Sequence, residues 1–262
     1  MRRTLPRIYY KKMIRAIKEF DLIHPGDRIL IGFSGGKDSA LLLFGLAILR
    51  EHGIIEADLE ALTIDLGFAR QLDPEPLARF CGDLGVKFNY LKKNIASVVQ
   101  NDDNPCARCA YFRRGAMNNF ARENGFQKVA LAHHHDDAVE TFLMSIIYSG
   151  QIKTFLPKTY LERSGLTVIR PLVYLREREV KKAQEFHGYA PVPKICPYDG
   201  NSYRQKTKEL IRELVRDRRW VYSNLAAAMR EGRPIELWPP QGKTGLKIEA
   251  KRETPIKVEE EI

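Results

Sequence analysis

Short apolar runs alternate with longer stretches of helical periodicity along this chain. RILIGF (28–33), EALTIDL (60–66), KFNYL (87–91), KVALAH (128–133) and TVIRPL (167–172) are short and aliphatic or β-branched, and each reads as a strand. Runs that are apolar on both faces suit a parallel sheet covered on both sides. Between them the pattern predicts helices over about 38–52, 74–84, 107–124, 136–149 and 176–187. This alternation predicts an α/β fold: a doubly wound, mainly parallel five-stranded sheet, with helical additions at both ends.

RIYYKKMIRAIKEFDLI (7–23) predicts an amphipathic helix docked by Ile8, Met13, Ile14, Ile17 and Phe20, and HPGD (24–27) then turns the chain into the sheet. NSYRQKTKELIRELVRDR (201–218) predicts a helix capped at Asn201 or Ser202 and carrying Leu210, Ile211, Leu214 and Val215. A second helix is expected near 220–230, and the Pro-, Gly- and charge-rich stretch 239–262 reads as a mobile tail. The expected division is a basic N-terminal helix (1–26), a central domain (27–199), basic C-terminal helices (200–238) and the tail.

Charge adds a partner to this outline. Lys and Arg outnumber Asp and Glu by 43 to 33, a net +10 that favours a polyanion. Residues 2–18 hold Arg2, Arg3, Arg7, Lys11, Lys12, Arg15 and Lys18 without an acid, and 204–219 hold seven cations against three acids. Either cluster alone reads equally as a solvated helix face. The pair points to nucleic acid, with Arg7, Lys11, Lys12, Arg212 and Arg216 as the candidate RNA contacts. Tyr9 and Tyr10 sit among these cations, where packing is the expected role and base stacking the alternative. No apolar run approaches the ~20 residues of a membrane span, and the N-terminus lacks the apolar core of a signal peptide. A soluble, cytoplasmic protein is expected.

IGFSGGKDSALLL (31–43) carries an apolar strand through two glycines into a helix. Such a loop turns backbone N–H groups toward one point, and the helix N-terminus adds partial positive charge. Lys37 adds a full charge, and Ser34 and Ser39 add hydroxyls. The spacing matches neither G-x-x-x-x-G-K-S/T nor G-x-G-x-x-G. Further on, LAHHHDDAVETF (131–142) places Asp136, Asp137, Glu140 and Thr141 at a helix start. Asp136 or Asp137 suits Mg²⁺ on a triphosphate, and helix capping alone is the competing role. Three consecutive histidines on a strand end point to alternate faces, so they do not make one metal site.

Four cysteines in a chain of this size do not form a disulfide framework. Cys81 lies at an apolar helical position and reads as core. Cys106 and Cys109, spaced C-x-x-C at a helix start, have Cys196 as a third candidate ligand. Zinc, a redox-active thiol pair and an iron–sulfur cluster all remain open on spacing alone.

SGGKDS (34–39) resembles the PP-loop of the ATP pyrophosphatase superfamily, whose members cleave ATP between the α and β phosphates and adenylate a substrate. LAHHHDDAVETF is similar to the superfamily's H-x-x-D-D-x-x-x-T element, RPL (170–172) to a short element after its fifth strand, and TIDLGF (63–68) to the segment that meets adenine and ribose. CARCAYFRRGAMNNFARENGFQKVALAHHHDD (106–137), IYSGQIKTFLPK (147–158) and VIRPLVYLREREV (168–180) closely resemble the tRNA 2-thiocytidine synthetase family, over roughly residues 8–210.

That resemblance implies an ATP-dependent tRNA sulfurtransferase that adenylates a base carbonyl oxygen, C2 of a cytidine, and replaces it with sulfur. It implies ATP at Ser34, Gly35, Gly36, Lys37, Asp38, Ser39, Asp65 and Asp136, with Mg²⁺ near Asp137. It implies a 4Fe–4S cluster on Cys106, Cys109 and Cys196. Lys37, Asp137 and Arg113 become the catalytic candidates, although Arg113 reads equally as a tRNA phosphate contact. Partners would be tRNA, a sulfur donor (free sulfide or a persulfide-carrying protein) and a second copy in a homodimer. The family usually has a second C-x-x-C where Asp199 stands in this chain, which leaves the exact substrate less constrained. A PP-loop enzyme with structural zinc acting on another base or a small molecule, and a non-enzymatic RNA-binding redox module, are the alternatives.

Overall fold

β1 (Asp27–Gly32) forms the centre of a six-stranded sheet, flanked by β2 (Ala57–Asp65) and β4 (Lys128–Ala130). β3 (Lys87–Lys92) lies outside β2, while β6 (Leu166–Ile169) and β5 (Lys158–Leu161) extend the other side, giving the order β3-β2-β1-β4-β6-β5. Every pairing is parallel except β5 with β6. The structure, a computed structural model, describes residues 4–68, 72–100, 102, 105–193, 196–197, 202–230 and 232. The chain divides into two units, Met1–Met229 and Arg230–Ile262, and the fold described is that of the first. The expected tail, 239–262, lies outside the described residues.

Alternation along the strands builds a core on each face. Ile29, Ile31, Leu59, Ala61 and Ala130 face α2 (Lys37–Glu51), α3 (Glu75–Asp83), α7 (Glu177–His187) and α1 (Arg7–Glu19) in the larger core. Leu30, Leu62, Val129 and Leu166 face α5 (Pro105–Glu123) through Ala121, Met117 and Phe120. α2 is buried along Ser39–Leu49, so its sequence is apolar all round rather than amphipathic. Gly45 in α2 admits α1: a Cβ there would lie 2.6 Å from Met13 Cε.

The sixth strand corrects the five-strand expectation. KTYL is short, only half-buried and antiparallel at the edge, so it carries neither the continuous apolar run of a buried strand nor a clean alternation. α1 docks through Tyr9, Met13, Ala16 and Ile17, whereas Ile8, expected in the core, is exposed. Tyr9 is therefore a packing residue. β4 ends at Ala130, so the three histidines lie beyond the strand, in the connection to α6 (His135–Ser149) and at its start. α8 (Tyr203–Asp217) is capped by Ser202, whose hydroxyl accepts Gln205 N–H at 3.2 Å. It buries Thr207 and Ile211, while Leu210 and Leu214 are exposed, because the buried stripe is one residue wide. α9 (Val221–Ala228) follows, and a single turn, α4 (Ala96–Val99), precedes α5.

From β1 the chain winds outward through β2 and β3, then returns to add β4 on β1's other side. The β1–β4 boundary is thus the topological switch point, where a crevice opens beyond the carboxyl ends of the strands. Among the described residues, no helix is long and apolar enough to cross a membrane.

Candidate nucleotide and thiol site

The loop after β1 opens at the switch point. Gly36 is the N-cap of α2 and supplies no side-chain cap, so the first N–H groups of α2 are left for a ligand. Ser34 and Ser39 hydroxyls lie 3.2 Å apart, and Ser39 also donates to the Gly36 carbonyl at 3.0 Å. Lys37 Nζ rests on Asp38 at 2.8 and 2.9 Å. His134 Nε2 approaches the same carboxylate at 3.6 Å, joining the loop to the start of α6.

Gly35 has φ +76°, and its carbonyl accepts Val192 N–H at 3.0 Å and the Tyr189 hydroxyl at 3.3 Å. A Cβ at this position would lie 2.5 Å from Val192 Cγ2. Gly35→Ala is expected to lower stability by about 1–3 kcal/mol through backbone strain and the displaced Val192. It should also weaken ATP binding, because the loop cannot keep its turn; thermal unfolding and equilibrium dialysis check the two effects.

Asp65 ends β2 at the same rim. It is buried and fully engaged: Oδ1 accepts Gly67 N–H at 3.0 Å and Oδ2 accepts the Tyr90 hydroxyl at 2.5 Å. Desolvation, then the hydrogen bond to Asp65, pushes Tyr90 up to about 12.

The two aspartates of α6 have different surroundings. His134 is the N-cap of a capping box: Asp137 Oδ2 accepts His134 N–H at 2.8 Å, and His134 Nδ1 accepts Asp137 N–H at 3.4 Å. Asp137 Oδ1 takes Arg204 Nη1 at 3.2 Å. Asp136 instead receives Arg176 Nε and Nη2 at 3.0–3.1 Å and the Glu177 N–H at 2.7 Å, which fixes the start of α7 on α6. Burial opposes its charge, but these donors hold its carboxyl below the usual carboxylate range. The Arg176 guanidinium lies 3.4 Å over the Tyr222 ring, and the Tyr222 hydroxyl meets His135 Nδ1 at 2.7 Å. Asp137 is thus the aspartate of the pair without a bidentate arginine.

Glu140, one turn on, is buried; burial first and Asp137 second push its carboxyl up to about 7. Burial, reinforced by Arg170, Arg204 and Arg113, pushes His133 down to about 3, so it is neutral at neutral pH.

Cys106 and Cys109 both lie in the first turns of α5. Cys106 and Cys196 are exposed, Cys109 is half-buried, and all three are free thiols. Burial, then Cys196, raises the Cys106 thiol. Burial raises Cys109 as well, Arg113 draws it back down, and Cys196 and Cys106 oppose its ionisation. The three thiols therefore lie within one another's electrostatic reach, with Arg113 beside Cys109. Among the described residues, Cys106, Cys109 and Cys196 included, no three His, Cys, Asp or Glu side chains are grouped so that they could hold a metal ion. Asp199 lies outside the described residues. Cys81 is in the core, where burial pushes its thiol to about 12. Cys196 follows Val192 by four residues, so its Cα lies at most about 14 Å from the residue that braces Gly35.

Of the basic residues, Arg7 and Lys11 are exposed on α1, whereas Lys12 is tied to Glu179 at 2.6 Å. On α8, Arg212 stands 4.0 Å from Glu177 and Arg216 3.7 Å from Asp217, both largely exposed. Sequence reading did not single out Arg204, Arg176, Tyr222, Tyr189 or Val192. Each acts through a contact distant in sequence, which the local pattern around it does not reveal.

A glycine-rich anion loop at the switch point of a parallel sheet, faced by an acidic helix start, defines the PP-loop class of nucleotide-binding proteins. The sequence profile of the PP-loop domain matches residues 9–192. The chain belongs to the PP-loop domain family, within the branch represented by the tRNA-cytidine(32) 2-sulfurtransferases. The protein of that name from Coxiella burnetii (strain Dugway 5J108-111) is 33% identical over 235 residues, covering 88% of this chain and 91% of the relative. The one from Anaeromyxobacter sp. (strain K) is 36% identical over 241 residues, covering 89% and 81%. The U34-tRNA thiolase NcsA from Methanococcus maripaludis, solved with its 4Fe–4S cluster, superposes with a TM-score of 0.69 at 20% identity, over 85% of this chain and 78% of that one, a likeness of fold.

Proposed function

We propose that the protein is an ATP-dependent tRNA sulfurtransferase that replaces the C2 oxygen of a cytidine by sulfur. The observation that carries this reading is the bracing of the phosphate loop by the segment that leads to Cys196. This supports a single site that combines the anion loop with the three thiols. The relatives named above, matched over most of both chains, support the same activity.

The chemistry needs two steps. The base oxygen attacks the α-phosphorus of ATP, the α–β bridge breaks, and pyrophosphate leaves with the electron pair. Hydrosulfide then adds at C2, and AMP leaves with the former base oxygen, its proton going to solvent. The N–H groups of the loop, Ser34, Ser39 and Lys37 hold the phosphates, and Asp137 would hold Mg²⁺, which would offset the charge of the phosphates. Asp38 and Asp65 lie at the nucleotide end of the site, and Asp136 keeps α7 in place behind it.

The donor set suits an iron–sulfur cluster in its chemistry: three free thiols, two of them exposed, with Arg113 favouring ionisation of the third. Cys106, Cys109 and Cys196 would hold a 4Fe–4S cluster with one iron free of protein ligands, whose chemistry is to carry sulfide. Arg113 keeps positive charge against Cys109 and near the reacting base. Arg7, Lys11, Arg212 and Arg216 contact tRNA phosphates, with Lys12 joining once freed from Glu179. A sulfide or persulfide donor, a homodimer and a cytoplasmic setting complete the proposal.

The test is nucleoside mass spectrometry of tRNA incubated anaerobically with cluster-loaded protein, ATP and sulfide. A 2-thiocytidine that requires ATP is expected. Unchanged tRNA, with the cluster loaded and tRNA bound, would reject the assignment.

A further inference from the structure

The C-terminal helix α8 adds a side chain to the nucleotide site. Arg204 stands two residues past the Ser202 cap and lies along one face of α6. Nη1 meets Asp137 Oδ1 at 3.2 Å and Glu140 Oε2 at 3.5 Å, while Nη2 donates to Thr141 Oγ1 at 3.1 Å. Positions 137, 140 and 141 are i, i+3 and i+4, so a single planar fork spans a full helical turn.

Asp137 is held on both oxygens by different elements. Oδ2 is fixed by the His134 N–H within the capping box, and Oδ1 by the guanidinium from α8. The capping box alone leaves one oxygen to rotate toward or away from Glu140, whose buried carboxyl lies on the same face. Without the guanidinium, Asp137 and Glu140, one turn apart, lose the cation that contacts both. α8 itself does not depend on Arg204. Ile211 and Thr207 are buried, Lys208 bonds Glu177 at 2.7 Å, and Tyr203 packs on Tyr148 with ring centroids 4.7 Å apart.

We infer that Arg204 is a positioning residue for Asp137: it fixes the carboxylate that handles the metal–triphosphate, and so brings the C-terminal helices into the adenylation step. Its kinetic consequence rests on the sulfurtransferase reading above, whereas its structural consequence does not. A guanidinium that touched ATP directly would act on nucleotide affinity. One that orients Asp137 acts on turnover, because misplacement of a reacting group by about 1 Å can cost about 10²-fold in rate.

Two measurements on the full chain test this. In a crystal structure of Arg204→Ala, the Asp137 carboxylate should leave its present orientation while α8 remains docked. An unmoved Asp137 overturns the inference, whatever the enzyme's reaction. In tRNA-dependent pyrophosphate release, Arg204→Ala should lower kcat about 10- to 100-fold with KM for ATP within about threefold, and Arg204→Lys should recover part of the loss. Lys208→Ala, which removes an anchor of α8 without touching Asp137, should stay within about twofold of the unmodified protein. A raised KM with unchanged kcat overturns the inference. So does full recovery of turnover in Arg204→Ala/Glu140→Gln, which would make Arg204 only a counter-charge for Glu140. If the unmodified protein releases no pyrophosphate with tRNA, the sulfurtransferase reading fails, and the position of Asp137 in the variant still decides the role of Arg204.

Discussion

Cys109→Ser is expected to reduce tRNA thiolation to background while leaving ATP binding within about twofold. Cys109 is the half-buried member of the trio and the one whose charge Arg113 favours. A serine hydroxyl does not ionise near neutral pH and is a poor ligand for iron, so a three-thiolate cluster cannot survive its introduction. The visible absorbance and electron paramagnetic resonance of the reconstituted protein should fall in parallel with thiolation. Cys81→Ser separates loss of a ligand from loss of a cysteine. Cys81 is sealed in the larger core, so that change should lower the unfolding temperature, at a cost of about 1–3 kcal/mol for a buried hydroxyl, and leave the cluster spectrum intact. Retention of thiolation by Cys109→Ser would remove the thiol site from the mechanism.

Lys37→Ala should lower kcat/KM for ATP about 10²- to 10³-fold, the effect typical of removing one preorganised group that meets transition-state charge. Lys37 is the single full positive charge within the loop 34–39. Its present partner is the neighbouring Asp38, in a pair exposed enough to contribute only about 0–1 kcal/mol to stability. The lysine can therefore leave Asp38 for a phosphate at little cost, and its removal should shift the unfolding midpoint by no more than a few degrees. Steady-state pyrophosphate release with tRNA, set beside thermal unfolding, measures both. A large fall in stability with unchanged kinetics would make Lys37 structural.

The features legible in the sequence were those whose physics is local. Continuous apolar runs marked β1, β2 and β4, because central parallel strands are buried on both faces. The glycines and Lys37 marked the anion loop, because close backbone approach and charge are written in adjacent residues. β5 escaped, since a half-buried edge strand of four residues has no pattern of its own and exists through its pairing with β6. Ile8 was misplaced for a related reason. Periodicity gives the apolar stripe of a helix but not its width, and the narrow contact surfaces of α1 and α8 leave its margins in solvent. The division of labour between Asp136 and Asp137 was also invisible. It is set by Arg176 and Arg204, 40 and 67 residues away along the chain.

The one-sided arrangement of the site bears on how such a protein can change its target. Loops after β1, β2 and β4 all emerge at one rim, while the bulk of the apolar burial lies behind them in α2 and the strands. Rim connectors can be rewritten without disturbing the interior, because they contribute little to its packing. Retargeting to another nucleobase therefore calls for new chain at the first turns of α5 and at the run past Val192, over an unaltered scaffold. A swap of those two segments between paralogues should exchange base preference while leaving the unfolding temperature nearly constant.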